Sequence, residues 1–105
     1  AGGLAAEELD GRAHALAQER GLKVRRVVVR NQRSRWGSCS SKRVISLNWR
    51  LIQTPAFVCD YIILHELMHL HEMNHSVRFW RRVAGVCPEF REAEDWLRRH
   101  AGLLH

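Results

Sequence analysis

The stretch from Thr54 to Met73, "TPAFVCDYIILHELMHLHEM", constrains this chain more than any other. Thr54 followed by Pro55 reads as a helix start. Threonine suits the N-cap, and proline at the first helical position lacks only an N–H that would have no helical partner. The apolar residues that follow predict a helix over 55–73, about five turns long. Within it sit His65, Glu66 and His69. Polar groups buried in so apolar a helix cost free energy unless something partners them.

His65 and His69 are about 400° apart round a helix, so their rings leave from nearly the same face, one turn apart. Both can reach one tetrahedral zinc at about 2.0–2.1 Å from each nitrogen. Glu66 lies about 100° round from His65, beside such an ion rather than aimed at it, where a general base for a water belongs. This is the logic of the H-E-x-x-H pattern. A catalytic zinc site needs a third protein ligand and keeps one position open. On a continuous helix His75 would lie about 15 Å along the axis from His65. It can join only if the helix ends after His71 or Glu72 and the chain turns back. The spacing from His69 to His75 equals that of the metzincin motif, but Glu72 stands where that motif has its turning glycine. Asn74, which tolerates left-handed backbone, is the available turn residue. The rival third ligand is a carboxylate from a later helix: Glu89, Glu92 or Glu94. His75 is the preferred candidate. His71, about 200° round from His69, faces away.

Around this helix the pattern is mixed. Leu4, Leu9, Ala13, Leu16 and Ala17 recur near helical spacing and predict a helix over 4–20, stopped by Gly21. Residues 22–30 are β-branched and strand-like. Residues 43–49 alternate Val44, Ser46, Asn48 against Ile45, Leu47, Trp49, a strand with two distinct faces. A hairpin joins 34–39 to 43–48 across "SSK". Ser76 caps a helix over 77–85, and Pro88 opens a last helix over 88–100 with Phe90, Ala93, Trp96 and Leu97 inward. The order is an N-terminal helix, a small sheet, the His-bearing helix and two C-terminal helices: an α+β fold. Trp49, Trp80 and Trp96 read as core.

The chain has 105 residues, one domain by size. It contains no run of 18 apolar residues, so no membrane span is expected. Its N-terminus lacks the apolar segment of a signal peptide, and its first residue is Ala, as in a processed or excised piece. Cys39, Cys59 and Cys87 are odd in number and widely spaced, which excludes a Cys-rich zinc site and suits reduced thiols in the cytoplasm. Cys59 and Cys87 read as small core residues. The net charge is +6, carried almost wholly by arginine, a surface that attracts nucleic acid or acidic partners.

Three segments together resemble a known family. "RWGSCSSKRVISLNWRL", "DYIILHELMHLHEMNHSVRFW" and the closing proline and "WL" are similar to the YgjP-like metallopeptidases, related in pattern to SprT-like and WLM zinc proteases. The resemblance covers residues 22–97. It implies a zincin-like domain with one zinc ion per chain held by His65, His69 and His75, and Glu66 as the catalytic glutamate. Against the longer N-terminal portion usual in the family, residues 1–105 look like a trimmed or minimal catalytic domain. Relatives include proteases acting on DNA-bound proteins, which would give the arginines a use.

The resulting expectation is peptide-bond hydrolysis, with Glu66 taking a proton from the attacking water and returning it to the leaving amine. Trp36, Gly37, Ser38 and Cys39 form a strand edge along which a peptide substrate can add as a further strand. The bland alternative is a plain hairpin with Trp36 in the core. Tyr61, one turn before His65, is either a hydroxyl for the oxyanion or a core aromatic. Cys39 is open between a nucleophile, an inhibitory zinc ligand and neither. Asp60 and Asn74 are candidate partners for the ligand histidines. The competing function class is a zinc-stabilised basic module that binds nucleic acid or an acidic protein without catalysis. Glu66 discriminates, because a structural zinc site has no need of it.

Overall fold

Leu9, Ala13, Leu16 and Ala17 are buried on one face of a helix, α1, that runs Gly2–Glu19. The computed structural model describes residues 2–104 and the side chains of residues 6–104, so the inward placement expected of Leu4 lies outside the described side chains. Gly21 ends the helix in the left-handed region, at φ 64°. Leu22 N–H donates to Ala17 O and Gly21 N–H to Gln18 O, the paired reverse bonds of a Schellman stop.

Three strands follow: β1 (Arg26–Arg30), β2 (Gly37–Cys39) and β3 (Val44–Asn48). The expected hairpin is present, with Gly37 opposite Leu47 and Cys39 opposite Ile45, but β2 is shorter than 34–39. β1 is likewise shorter than 22–30 and pairs parallel to β3. The sheet order is therefore β1-β3-β2, with the long β3 in the middle and β2 at an edge. Ile45 and Leu47 are fully buried, as the alternation predicts. Asn48 departs from it: it too is fully buried, because its amide serves the backbone rather than water.

After a 3-10 turn at Trp49–Gln53 comes α2 (Ala56–Met68), then α3 (Val77–Val86) and α4 (Phe90–Arg99). Thr54 does not cap α2. Its hydroxyl donates backwards to Leu51 O at 2.6 Å, closing the 3-10 turn, and Pro55 takes the cap position with no side-chain bond. Ser76 does cap α3, accepting from Phe79 N–H. α2 is buried almost all round, as a helix apolar on every side must be. It packs against α1, β2, β3, α3 and α4. The tryptophans Trp36, Trp80 and Trp96 are only partly buried against this core, and Trp49 donates to Asn31 at its margin. Cys87 is buried, Cys59 half-buried, and all three thiols are free. Among the described residues no helix is long and apolar enough to cross a membrane.

Candidate metal centre

The expected five-turn helix stops early. α2 ends at Met68, and Leu70 N–H and His71 N–H bond three residues back, to Leu67 O and Met68 O. That tighter winding turns the chain out of the helix axis and lets residues 72–76 double back. Asn74 supplies no left-handed residue, since Arg43 is the one non-glycine with positive φ among the described residues. The consequence is the juxtaposition that a continuous helix forbids. Ligand atoms of His65, His69 and His75 all lie within 4.8 Å of one another.

The geometry suits a tetrahedral ion. His65 Nε2 and His75 Nε2 are 3.4 Å apart, and two nitrogens bonded to one tetrahedral zinc stand about 3.3–3.4 Å apart. Each helix-borne ring is steered from behind. His69 Nδ1 lies 3.0 Å from Glu72 O. A carbonyl only accepts, so Nδ1 carries the proton and Nε2 keeps its lone pair. His65 Nδ1 lies 3.3 Å from the Tyr61 hydroxyl, and when that Nδ1 donates to the phenol oxygen its Nε2 keeps a lone pair for a metal. Burial, then the neighbouring His69 and His75, push His65 down to about 4. Burial also lowers His69, opposed by its bond to Glu72. The pair is held neutral, the form that binds metal.

Phe79, fully buried in the first turn of α3, packs among all three rings. It stacks on His69 at 4.3 Å between centroids and meets His65 and His75 edge-on at 4.9 and 5.0 Å. Its position three residues after the Ser76 cap is the signal that sequence reading passed over.

Glu66 is 7% exposed. Burial lifts its carboxyl to about 7, with Arg35 pulling the other way. Glu66 shares a cleft of about 340 Å³ with the three histidines; Arg35, Gly37, Ser38 and Cys39 form one wall and Met73 stands near His75. Trp36 is not in that lining and packs against the core instead. Asn48 anchors the wall: its Nδ2 donates to Gln32 O and Arg35 O at 2.7 and 2.9 Å, its Oδ1 accepts from Arg50 N–H, and its own N–H donates to Trp36 O. The polar slot that Asn48 occupies in the alternation concealed this role.

Other expected residues are placed elsewhere. Glu89 and Glu92 are exposed, and no carboxylate joins the cluster among the described residues. Glu94 acts on Tyr61, whose hydroxyl is driven upward first by burial and then by that charge. Tyr61 is 1% exposed with its hydroxyl against the back of His65, so it is a core aromatic and does not present that hydroxyl to the cleft. Asp60 is taken by Arg12 in a two-pronged pair at 2.8 and 2.6 Å, and Asn74 makes no bond to a histidine. His71 is exposed and turned away. The Cys39 thiol faces the cleft and lies outside the ligand cluster, and burial raises it to about 11, which leaves it a poor nucleophile.

His65 on α2, His69 at its C-cap and His75 on the loop that doubles back form a cradle beside the Glu66 carboxyl, facing a sheet edge, and likeness to known proteins places this arrangement in a metallopeptidase fold. The profile described as "YgjP-like, metallopeptidase domain" matches residues 3–100, and the chain belongs to that family. Its fold is similar to the crystal structure of the metallopeptidase zymogen of Pyrococcus abyssi abylysin. The TM-score is 0.75 and the identity 26%, over 89% of this chain and 95% of that one. No curated protein sequence matches the chain significantly.

Proposed function

We propose that this protein is a zinc-dependent endopeptidase whose ion is held by His65, His69 and His75 and whose general base is Glu66. The observation that carries the reading is the convergence of three imidazoles with a buried carboxyl in one cleft. Three imidazoles form a donor set that suits zinc. When bound, the ion supplies Lewis acidity toward a water and toward the substrate carbonyl. Glu66 does the proton work: its carboxylate accepts a proton from the attacking water and returns it to the leaving amine. A carboxyl lifted by burial holds and releases that proton near neutral pH.

The substrate lies along β2. That strand has one neighbour, β3, so its outer edge is free to pair with an extended peptide, and Gly37, Ser38 and Cys39 bring the peptide backbone past Glu66. Three free cysteines fit work in a reducing, cytoplasmic setting. The basic binding module is the weaker reading, since it leaves a buried, uncompensated Glu66 without a purpose.

The test is elemental analysis joined to proteolysis. One zinc per chain in the wild type, large loss in His75→Ala, and zinc kept but cleavage lost in Glu66→Gln are expected. Full zinc retention in His75→Ala would remove His75 from the site, and no zinc in the wild type after loading would sink the proposal.

A further inference from the structure

Arg35 stands where the chain enters β2 and lines the same cleft as Glu66 and the three histidines. Histidines apart, it is the one cationic residue in that lining. The backbone beneath it is fixed, because Arg35 O accepts from the buried Asn48 amide at 2.9 Å. Its side chain is exposed, and among the described residues its guanidinium has no acidic partner and donates no hydrogen bond. The other exposed arginines beside acids behave differently: Arg12 holds Asp60 and Arg98 holds Asp95. A rigid base, a free five-donor fork and a position at the mouth of a reaction cleft are what a carboxylate-recognising residue needs.

Resting on the peptidase reading above, we infer that Arg35 is a specificity-determining residue that grips a substrate carboxylate on the C-terminal side of the scissile bond. Direction follows from adding the peptide antiparallel, the sense in which β2 already pairs with β3. A peptide added antiparallel to β2 runs its C-terminal half toward the strand's N-terminal end, which is where Arg35 stands. The carboxylate is either an Asp or Glu side chain a residue or two beyond the bond or the peptide's own terminus. Both present the planar pair of oxygens that guanidinium binds through two parallel hydrogen bonds. A two-pronged charged pair of this kind is expected to change affinity by about tenfold.

The experiment uses zinc-loaded full chain carrying Glu66→Gln, which blocks turnover, and fluorescent extended peptides read by anisotropy. One peptide pair carries Glu or Gln beyond the central bond with an amidated end. A second pair is neutral throughout and differs only in a free or amidated end. The expected result is about tenfold tighter binding of the acidic member of one pair, abolished by Arg35→Gln and reversed toward a Lys peptide by Arg35→Glu. The pair that responds names the source of the carboxylate. Equal affinities within both pairs, a preference that survives Arg35→Gln, or no binding of any peptide each overturn the inference. Cleavage of the same peptides by the wild-type enzyme separates the two readings. Arg35-dependent binding without any cleavage overturns the peptidase assignment alone, and cleavage without carboxylate preference overturns only the role of Arg35.

Discussion

Gly37 and Glu66 are in direct contact across the cleft. A Cβ on residue 37 would stand 3.1 Å from Glu66 Cγ, 3.4 Å from Glu66 Oε2 and 3.0 Å from Ser46 O. The first two atoms belong to the Glu66 side chain and the third to the backbone of the neighbouring strand, so an added methyl is relieved by shifting Glu66. Gly37→Ala is expected to keep the fold at a cost of about 1–3 kcal/mol, as overpacking does. It should also displace Glu66 and reduce kcat at least tenfold with zinc content unchanged. Urea unfolding beside peptide kinetics checks both parts, and full activity would mean that the contact does not position Glu66.

Glu66 also sets a pH signature in the metal-free protein. Its folded carboxyl sits at about 7 against an ordinary value of 4.5, so between these limits the folded state holds more protons than the unfolded one. Stability from this group therefore falls as pH rises through that window. At a little under 1.4 kcal/mol per pH unit, the loss is on the order of 2–3 kcal/mol. Glu66→Gln removes it, so the variant should gain on the wild type as pH climbs from 5 to 8. Denaturant titrations of both apoproteins at the two pH values decide the sign.

His65 works in the opposite sense. Its folded value of about 4 lies below the ordinary 6.5, so its contribution is present above 6.5 and is lost as pH falls toward 4. Glu66→Gln leaves this term unopposed. The variant apoprotein is expected to lose stability on acidification across that range more steeply than the wild type, which the same titrations extended to pH 4.5 will show.

Tyr61→Phe removes the hydroxyl behind His65 Nδ1 while preserving the buried ring. The His65 ring loses its orienting partner, and if it holds the proposed ion, metal affinity should weaken about 10–100-fold. Competition with a zinc chelator measures it. An unchanged affinity would assign Tyr61 to packing alone.

Asn48→Ala deletes three side-chain hydrogen bonds inside a fully buried slot, stripping Arg35 O and Arg50 N–H of their Asn48 partner and leaving Gln32 O only its 3.3 Å bond from the Arg50 guanidinium. At about 1–3 kcal/mol for each buried group left unsatisfied, offset where water enters, a loss of several kcal/mol is expected. The midpoint of chemical unfolding reports it.

The histidine helix, the Ser76 cap, the Gly21 stop and the hairpin were legible because each rests on chemistry within a few residues. The His65–Glu66–His69 spacing needs only helical geometry. What escaped depends on distant chain. The parallel pairing of β1 with β3 has no local signature, since a parallel partner is chosen by the tertiary arrangement. The end of α2 at Met68 was hidden because residues 69–73 are respectable helix formers, and the turn is imposed by docking His75 and Phe79 onto the helix. Asn48 looked like an outward polar residue because alternation describes side chains, whereas its partners are backbone carbonyls from a loop that sequence cannot place. Thr54 and Pro55 carried a correct boundary through an incorrect bond.

The seating of Phe79 among the three imidazoles makes the first turn of α3 a buried backing for the rings as well as a piece of scaffold. On the proposed reading, an ion held by His65 and His75 would act as a cross-link that joins α2 to the approach of α3, shortening the free loop between them. Chelation should then be felt as local breathing: amides of 72–80 exchanging with deuterium faster while β3 and the middle of α2 stay protected. In such a molecule, loading the ion and closing the last piece of the fold would be one event.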